Sequence, residues 1–370
     1  MEAKRLHRNL MYEGTNVISA LLNPDMFPEY MNRANELGFS GEVFLDTFPE
    51  NRKVIGTHSG TFHSDEALAV SLLRTLPEYR DHVIMRTRNQ ELLKKCDIVV
   101  DVGGEYDFEK KRFDHHQKGF ECTFDSQHKT KLSSAGLIYK HFGREIIGAI
   151  LNRSLPPADL DYVYHKVYDH FVEEIDGTDN GVNSSSGDSN YKVTTTISSR
   201  VARLGISWRE EWSEEKEQER FRFAMGLMIG EFWQRVHIEA DEILPARGIV
   251  REAMEKAKEV HPSGEILVMK ESCPYMEHVF ELEKERGEEG KTKFVVVENT
   301  DGSWRVRAMN AGPGTFEVRK KILAKCLGLR DEELSRASGI EGCIFVHING
   351  FIGSNKTKEG ALKMAIQSLE

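Results

Sequence analysis

The sequence predicts an α/β protein of two domains, the first built on a parallel sheet and the second a smaller α/β unit. Three observations predict it. A chain of 370 residues exceeds the size at which one hydrophobic core usually stops growing. Between residues 53 and 104, short β-branched runs alternate with helix-like stretches, the pattern of strands joined by crossover helices. Beyond residue 264, further strand-like runs lead to a helix-like C-terminus. The expected division is an appended N-terminal extension over residues 1–50, a first domain over 51–240 and a second over 241–370.

Residues 1–50 have weak periodicity, which sets them apart. "KVIGTH" (53–58) is an apolar strand running into a loop, and "SDEALAVSLLRTL" (64–76) is a helix with Ser64 as its expected cap. "HVIMRTR" (82–88) and "CDIVVDVGG" (96–104) are strands, with helix-like "QELLKK" between them. "SSAGLIYKHFGREIIGAIL" (133–151) and "LDYVYHKVYDHFVEEID" (160–176) have helical spacing, and "DNGVNSSSGDSN" (179–190) is a polar loop. A charged helical stretch from 213 to about 259, broken near "LPARG", leads to strands at 265–269, 293–299, 304–309 and 343–350 and a helix at 358–369.

Composition narrows the function. With 50 basic against 60 acidic residues the net charge is −10, which opposes broad adhesion to a polyanion, so any nucleic-acid contact must be local. No apolar run has the length of a membrane span, and the start lacks the apolar segment of a secretory signal. Glu2 and Glu13 weaken a transit-peptide reading. Cys96, Cys122, Cys273, Cys326 and Cys343 are scattered without a CxxC pair, which fits a reducing compartment and not zinc-finger chemistry. The hydroxyls of "SSSGDS" (184–189) lack the GxSxG setting of a serine nucleophile, and no strand is followed by a dinucleotide fingerprint.

In a parallel sheet, sites gather at the carboxyl ends of strands, and here those ends are loaded with hard ligands. "THSGTFHSDE" (57–66), "VVDVGG" (99–104), "FDHH" (113–116) and "EEIDGTDNG" (173–181) offer His58, His63, Asp65, Asp101, His115 and Asp176, with Asp179 beside the last. Singly, each has a bland explanation as a cap, turn or surface group. Together they form an imidazole and carboxylate set without thiolates, which suits Mn²⁺, Mg²⁺ or Fe²⁺ better than a structural Zn²⁺.

The ordered motifs "GTHSGTFHSDEALA", "DIVVDVGGEYD", "FDHHQ", "EIDGTDNG" and "GCIFVHINGFIG" resemble the melanocyte proliferating gene family of metal-dependent exonucleases, a branch of the DHH phosphoesterase superfamily. The likeness runs from about Lys53 to the C-terminus. It implies a two-domain DHH-like fold, two divalent cations with Mn²⁺ preferred and Mg²⁺ the alternative, and a water activated between them. It also implies 3′-5′ exonuclease activity on single-stranded RNA or short oligonucleotides in RNA processing, no membrane, and a place in the nucleus or mitochondrion, with the cytoplasm open. By this mapping one cation takes His58, His63 and Asp101, and the other takes Asp65, Asp101, His115 and Asp176. Asp114, His115 and His116 form the catalytic group, Asp114 orienting His115 or its water and His116 facing the phosphate. In the second domain Arg319, His347, Gly350 and Gly353 are expected to hold substrate, with Arg305, Arg307, Lys320 and Lys321 as further candidates. The alternatives are a phosphoesterase acting on small molecules and a metal-binding regulatory protein without turnover.

Overall fold

The computed structural model describes residues 32, 35–39, 41–185, 187 and 191–370. Most of the expected N-terminal extension, and Ser186, Asp188, Ser189 and Asn190 of the polar loop, lie outside the described residues. Two compact units meet in sequence between Glu239 and Ala240.

The first unit is built on a six-stranded sheet of order β1-β3-β2-β4-β6-β5. Its strands are β1 (Val43–Leu45), β2 (Val54–Thr57), β3 (Val83–Arg86), β4 (Ile98–Val100), β5 (Tyr106–Asp107) and β6 (Arg112–Phe113). The first five in spatial order run parallel, and β5 closes the edge antiparallel to β6. The sheet is covered on both faces, so its strands read as continuous apolar runs. Val54, Val83, Met85 and Val99 pack with Leu93 and Cys96 in one apolar cluster. Ile55, Ile84, Ile98 and Val100 alternate with them and are also fully buried. Among the helices, α1 (Ser64–Thr75) packs against α3 (Ser134–Leu151) and α7 (Glu214–His237). The short helices α2 (Gln90–Leu93), α4 (Pro157–Val167), α5 (Glu173–Asp179) and α6 (Ile197–Ala202) belong to the same unit, with wider helical turns at Asn35–Phe39 and Tyr168–Val172.

Two expectations need correction here. Residues 43–45 belong to the sheet, paired in register with residues 84–86 of β3, because "VFL" supplies another apolar strand to a bare edge. The cap of α1 is His63 and not Ser64, since the His63 backbone N–H donates to both carboxylate oxygens of Glu66 at 3.0 and 2.9 Å.

The second unit carries a mixed five-stranded sheet of order β10-β11-β9-β8-β7. The strands are β7 (Ile266–Val268), β8 (Phe294–Glu298), β9 (Trp304–Ala308), β10 (Cys343–Val346) and β11 (Ile352–Asn355). Phe294 and Val296 join Met364 and Ala365 of α12 (Lys358–Gln367) on one face, along with Leu334 of α11 (Asp331–Ser338). Val295 and Val297 meet Val250 of α8 (Leu244–Glu255) and Leu282 of α10 (Met276–Arg286) on the other. The helical turn α9 (Ala257–Val260) precedes β7. Here the period of 2 on a strand splits one apolar run between two cores.

Candidate metal centre

The strand order of the first unit creates the site. From β2 the chain crosses through α1 to β3 on one side, whereas β4 leads toward β6 on the other. The crevice beyond the carboxyl ends of β2 and β4 is therefore the switch point at which open α/β sheets bind ligands. His58 follows β2 directly, Asp101 follows β4, and the Asp114–His115–His116 run follows β6.

Asp101 has φ +57°, a left-handed backbone that aspartate tolerates better than most residues and that turns its carboxylate back over the strand ends. Its two oxygens are divided. Oδ2 lies 3.4 Å from His58 Nε2, and Oδ1 lies 3.5 Å from both His115 Nε2 and His116 Nδ1. His58 Nε2 also lies 3.0 Å from Glu66 Oε1, and His115 Nε2 lies 3.0 Å from Asp179 Oδ2.

Three groups with metal-ligand spacing overlap here: His58, His63, Glu66 and Asp101; Asp101, Asp114, His115 and His116; and Asp65, His115 and Asp179. Burial would keep the two inner imidazoles neutral, but the hydrogen bonds and charges of Asp101 and Glu66 outweigh it at His58 and raise its pKa to about 10. Burial is likewise outweighed at His115, by Asp101 and Asp179 with the charge of Asp65, and its pKa rises to about 11. Desolvation, with the charges of Asp101 and Asp179, raises the pKa of Asp65 well above the carboxylate range. Burial would raise the Asp101 carboxyl, but the nearby imidazoles of His115 and His58 outweigh it and hold it below its ordinary value.

The donor set fits hard divalent cations. His115 Nε2 is buried and, despite its acidic neighbours, makes no hydrogen bond of normal geometry. Ligands arranged octahedrally at about 2.1 Å from a cation stand roughly 3 Å apart, which is the scale of the contacts between these side chains. The groups contain imidazole and carboxylate and no thiolate, a mixture that accepts Mn²⁺ or Mg²⁺. A cleft of about 720 Å³ opens over them, lined in part by His63, Arg88, Asp101, His116 and Asp179.

The structure brings together five of the six expected ligands and displaces the sixth. Asp176 is fully buried beneath the N-terminus of α3, where it accepts hydrogen bonds from the Ser133 backbone N–H at 2.9 Å, Ser133 Oγ at 2.8 Å and Tyr168 Oη at 2.9 Å. Desolvation pushes its pKa up to about 7. Gly136 is required beside it, since a Cβ there would sit 2.3 Å from Asp176 Oδ1. Asp179, one helical turn further on, reaches His115 instead. Asp65 serves both ends of the arrangement: it accepts from the Ala135 N–H at 2.6 Å and lies 2.5 Å from Ser133 Oγ, whose single proton it shares with Asp176, while its carboxylate belongs to the His115 group.

Asp114 also departs from its expected part. It orients His116, not His115, with Oδ1 2.7 Å from His116 Nδ1 and Oδ2 accepting from the Gly104 N–H at 2.6 Å. His116 is exposed and lines the cleft.

The expected substrate contacts of the second unit look structural. Arg319 donates to Glu283 Oε1, to the Thr292 carbonyl and to the Asn310 carbonyl, at 2.8, 2.8 and 3.0 Å, and its side chain is 6% exposed. It is an internal tie, so it does not offer a free fork to phosphate. Gly350 has φ +73° and leaves no room for a Cβ, which would meet Lys321 Cβ at 2.8 Å. A Cβ on Gly353 would come within 3.0 Å of Met364. His347 Nδ1 accepts from the Asn349 N–H at 3.1 Å within the same turn, and its ring lies 4.5 Å from that of Phe351.

Two ligand candidates escaped selection from the sequence, Glu66 and Asp179. Glu66 stands three residues after His63, the capping-box spacing, and the signal is masked because histidine is a rare cap. Asp179 follows Asp176 by three residues, so both can serve one helix face and spacing cannot choose between them.

Comparison with known proteins agrees with the motifs. The profile of the MYG1 exonuclease family, described as an uncharacterised protein family (UPF0160), matches residues 54–369. A "MYG1 protein" of Dictyostelium discoideum is 47% identical over 317 residues, covering 85% of this chain and 96% of its own. The "MYG1 exonuclease" of Bos taurus is 47% identical and that of Homo sapiens 46% over 322 residues, covering 85% of this chain and 84% and 85% of theirs. No solved structure matches. With the profile spanning nearly the whole described chain, and relatives this similar along most of their length, the chain belongs to the MYG1 family.

Proposed function

We propose that the chain is a metal-dependent phosphodiester hydrolase of DHH-like organisation, a 3′-5′ exonuclease acting on single-stranded RNA. The observation that carries this reading is the division of the Asp101 carboxylate, with one oxygen toward His58 and the other toward His115, so that a single residue joins two ligand groups. The exonuclease name borne by the bovine and human relatives supports it. His58, His63, Glu66 and Asp101 hold one cation, and Asp65, Asp101, His115 and Asp179 hold the other. Two divalent cations, Mn²⁺ or Mg²⁺, supply Lewis acidity to a phosphoryl oxygen and make a water nucleophilic near neutral pH. Asp114 fixes the His116 ring through Nδ1, which leaves Nε2 for a phosphate oxygen in the cleft. No side-chain nucleophile is required.

The net charge of −10 favours short substrates, because long polymers are gripped by broad basic surfaces. Short oligonucleotides are therefore the second reading. Among the described residues no helix is long and apolar enough to cross a membrane. The resemblance to the exonuclease family supports a place in the nucleus or mitochondrion, with the cytoplasm as the alternative. The test is purified protein with Mn²⁺ or Mg²⁺ on end-labelled single-stranded RNA, single-stranded DNA and dinucleotides. A ladder shortening from the 3′ end of RNA supports the proposal, while hydrolysis of dinucleotides alone favours the second reading. The double substitution His115→Ala with His116→Ala should abolish either activity in a folded protein, and undiminished turnover would sink the hydrolase assignment.

A further inference from the structure

We propose that Arg88 is the phosphate grip of the first unit, a two-pronged guanidinium fork beside the metal centre; this rests on the hydrolase reading above. The cleft is acidic, with Asp101, Asp114 and Asp179 on its walls, so an entering phosphate needs positive charge beyond the cations themselves. Among the described residues that line it, Arg88 is the one arginine or lysine. Arg86, two residues earlier, cannot serve: it is fully buried and donates to Glu217 Oε1 at 2.8 Å and to the Gly60 carbonyl at 2.7 Å.

Arg88 is exposed and half-committed. Its Nε donates to the Ser59 carbonyl at 3.1 Å, which sets the plane of the guanidinium, and its Nη2 lies 3.2 Å from His58 Nδ1. Nη1 has no hydrogen-bond partner among the described residues. The Ser59 carbonyl also lies 3.2 Å from His58 Nδ1, so that nitrogen has two suitors and can satisfy one. It either donates a proton to Ser59 or accepts one from Arg88. A histidine that ligates through Nε2 carries its proton on Nδ1 and commonly donates it to a backbone carbonyl. Nη1 is unpaired among the described residues and Nη2 has only this contested contact, so the two stand at the cleft as a pair of parallel donors. Such a pair matches two oxygens of one phosphate. The backbone beneath the fork is fixed, because Gly60 is clamped at both its groups: its N–H donates to Glu217 Oε1 at 3.0 Å and its carbonyl accepts from Arg86.

The experiment compares wild type, Arg88→Ala and Arg88→Lys, each loaded with Mn²⁺, in two measurements: calorimetric titration with inorganic phosphate, and KM on end-labelled single-stranded RNA. Arg88→Ala should weaken phosphate binding and raise KM by about 10- to 100-fold, the range for a charge-assisted contact, with metal content unchanged. Arg88→Lys should recover only part, since an ammonium keeps the charge and loses the fork. Phosphate affinity that is unchanged in Arg88→Ala, or absent already in wild type, overturns the proposal whether or not the protein cleaves RNA. Loss of bound Mn²⁺ in Arg88→Ala also overturns it, because the arginine would then act by holding His58. Phosphate binding that depends on Arg88 in a protein that cleaves no nucleic acid upholds the grip and removes the hydrolase reading alone.

Discussion

Asp101 in the first unit and Glu283 in the second are both buried carboxylates with basic neighbours, yet their surroundings differ in kind. Glu283 is completed by the chain: Oε1 accepts from Arg319 and the Thr292 N–H at 2.8 and 2.7 Å, and Oε2 accepts from the Gly290 N–H at 3.0 Å. Asp101 is surrounded by imidazoles at 3.4 to 3.5 Å, and one of them, His115, has a buried nitrogen without a proper hydrogen bond. A buried charge whose partners are backbone N–H groups and a guanidinium needs nothing more, and it acts as a structural tie. A buried charge whose partners are loosely placed imidazoles and other acids is incomplete until a cation arrives.

The largest effect expected from this contrast is at Asp101. Asp101→Asn removes the carboxylate common to the two proposed ligand sets, and turnover on the proposed RNA substrate should fall by about a thousandfold or more, with metal lost from both positions. Glu283 should behave oppositely. Arg319→Ala strands a buried carboxylate and should cost about 3–5 kcal/mol of stability, seen as a lower denaturation midpoint. The protein that remains folded should keep its KM for RNA, and a raised KM at full stability would return Arg319 to the substrate site.

A finer division falls within α5. Asp179→Asn should weaken Mn²⁺ binding by about tenfold or more, since it replaces a charged oxygen donor of the proposed second cation position with a neutral one. Asp176→Asn should leave metal affinity within about twofold and lower stability by about 1–2 kcal/mol, because it disturbs bonds to Ser133 and Tyr168. Titration with Mn²⁺ separates the two, and the opposite ranking would restore Asp176 as the ligand. The smallest effect is at His347, where His347→Ala should shift stability by less than about 1 kcal/mol and leave turnover unchanged, since its one side-chain bond closes a local turn.

Much of the first sheet was legible because a strand buried on both faces must read as an unbroken apolar run, as in "VIGT", "VIMR" and "IVV". The carboxyl ends of two of those strands carry His58 and Asp101, and the end of the short strand β6 carries His115, so topology with residue type pointed to one crevice. What sequence could not settle was direction. Asp176 and Asp179 lie one turn apart, and which of them points under α3 depends on the absent Cβ of Gly136, a contact between segments 40 residues apart in the chain. Asp114 could serve either neighbouring histidine, and the choice is made by the Gly104 N–H that pins its other oxygen. In the second unit, "TFEVRKK" shows basic residues but not the buried Glu283 that occupies one of them. Charge in a sequence indicates what is available for binding only when its internal partners are known. The strand Val43–Leu45 is as short as Ile98–Val100 but stands in a segment of weak periodicity, without the alternation of strand and helix that marks the rest of the sheet.

The central claim is that one carboxylate joins two cation positions, and metal stoichiometry tests it most directly. Wild type and Asp101→Asn, dialysed against Mn²⁺ and then against metal-free buffer, would be measured by mass spectrometry, with circular dichroism to confirm the fold. The account predicts two ions per wild-type chain and fewer than one in Asp101→Asn. Two ions retained by the folded substituted protein, or none bound by wild type, would contradict it.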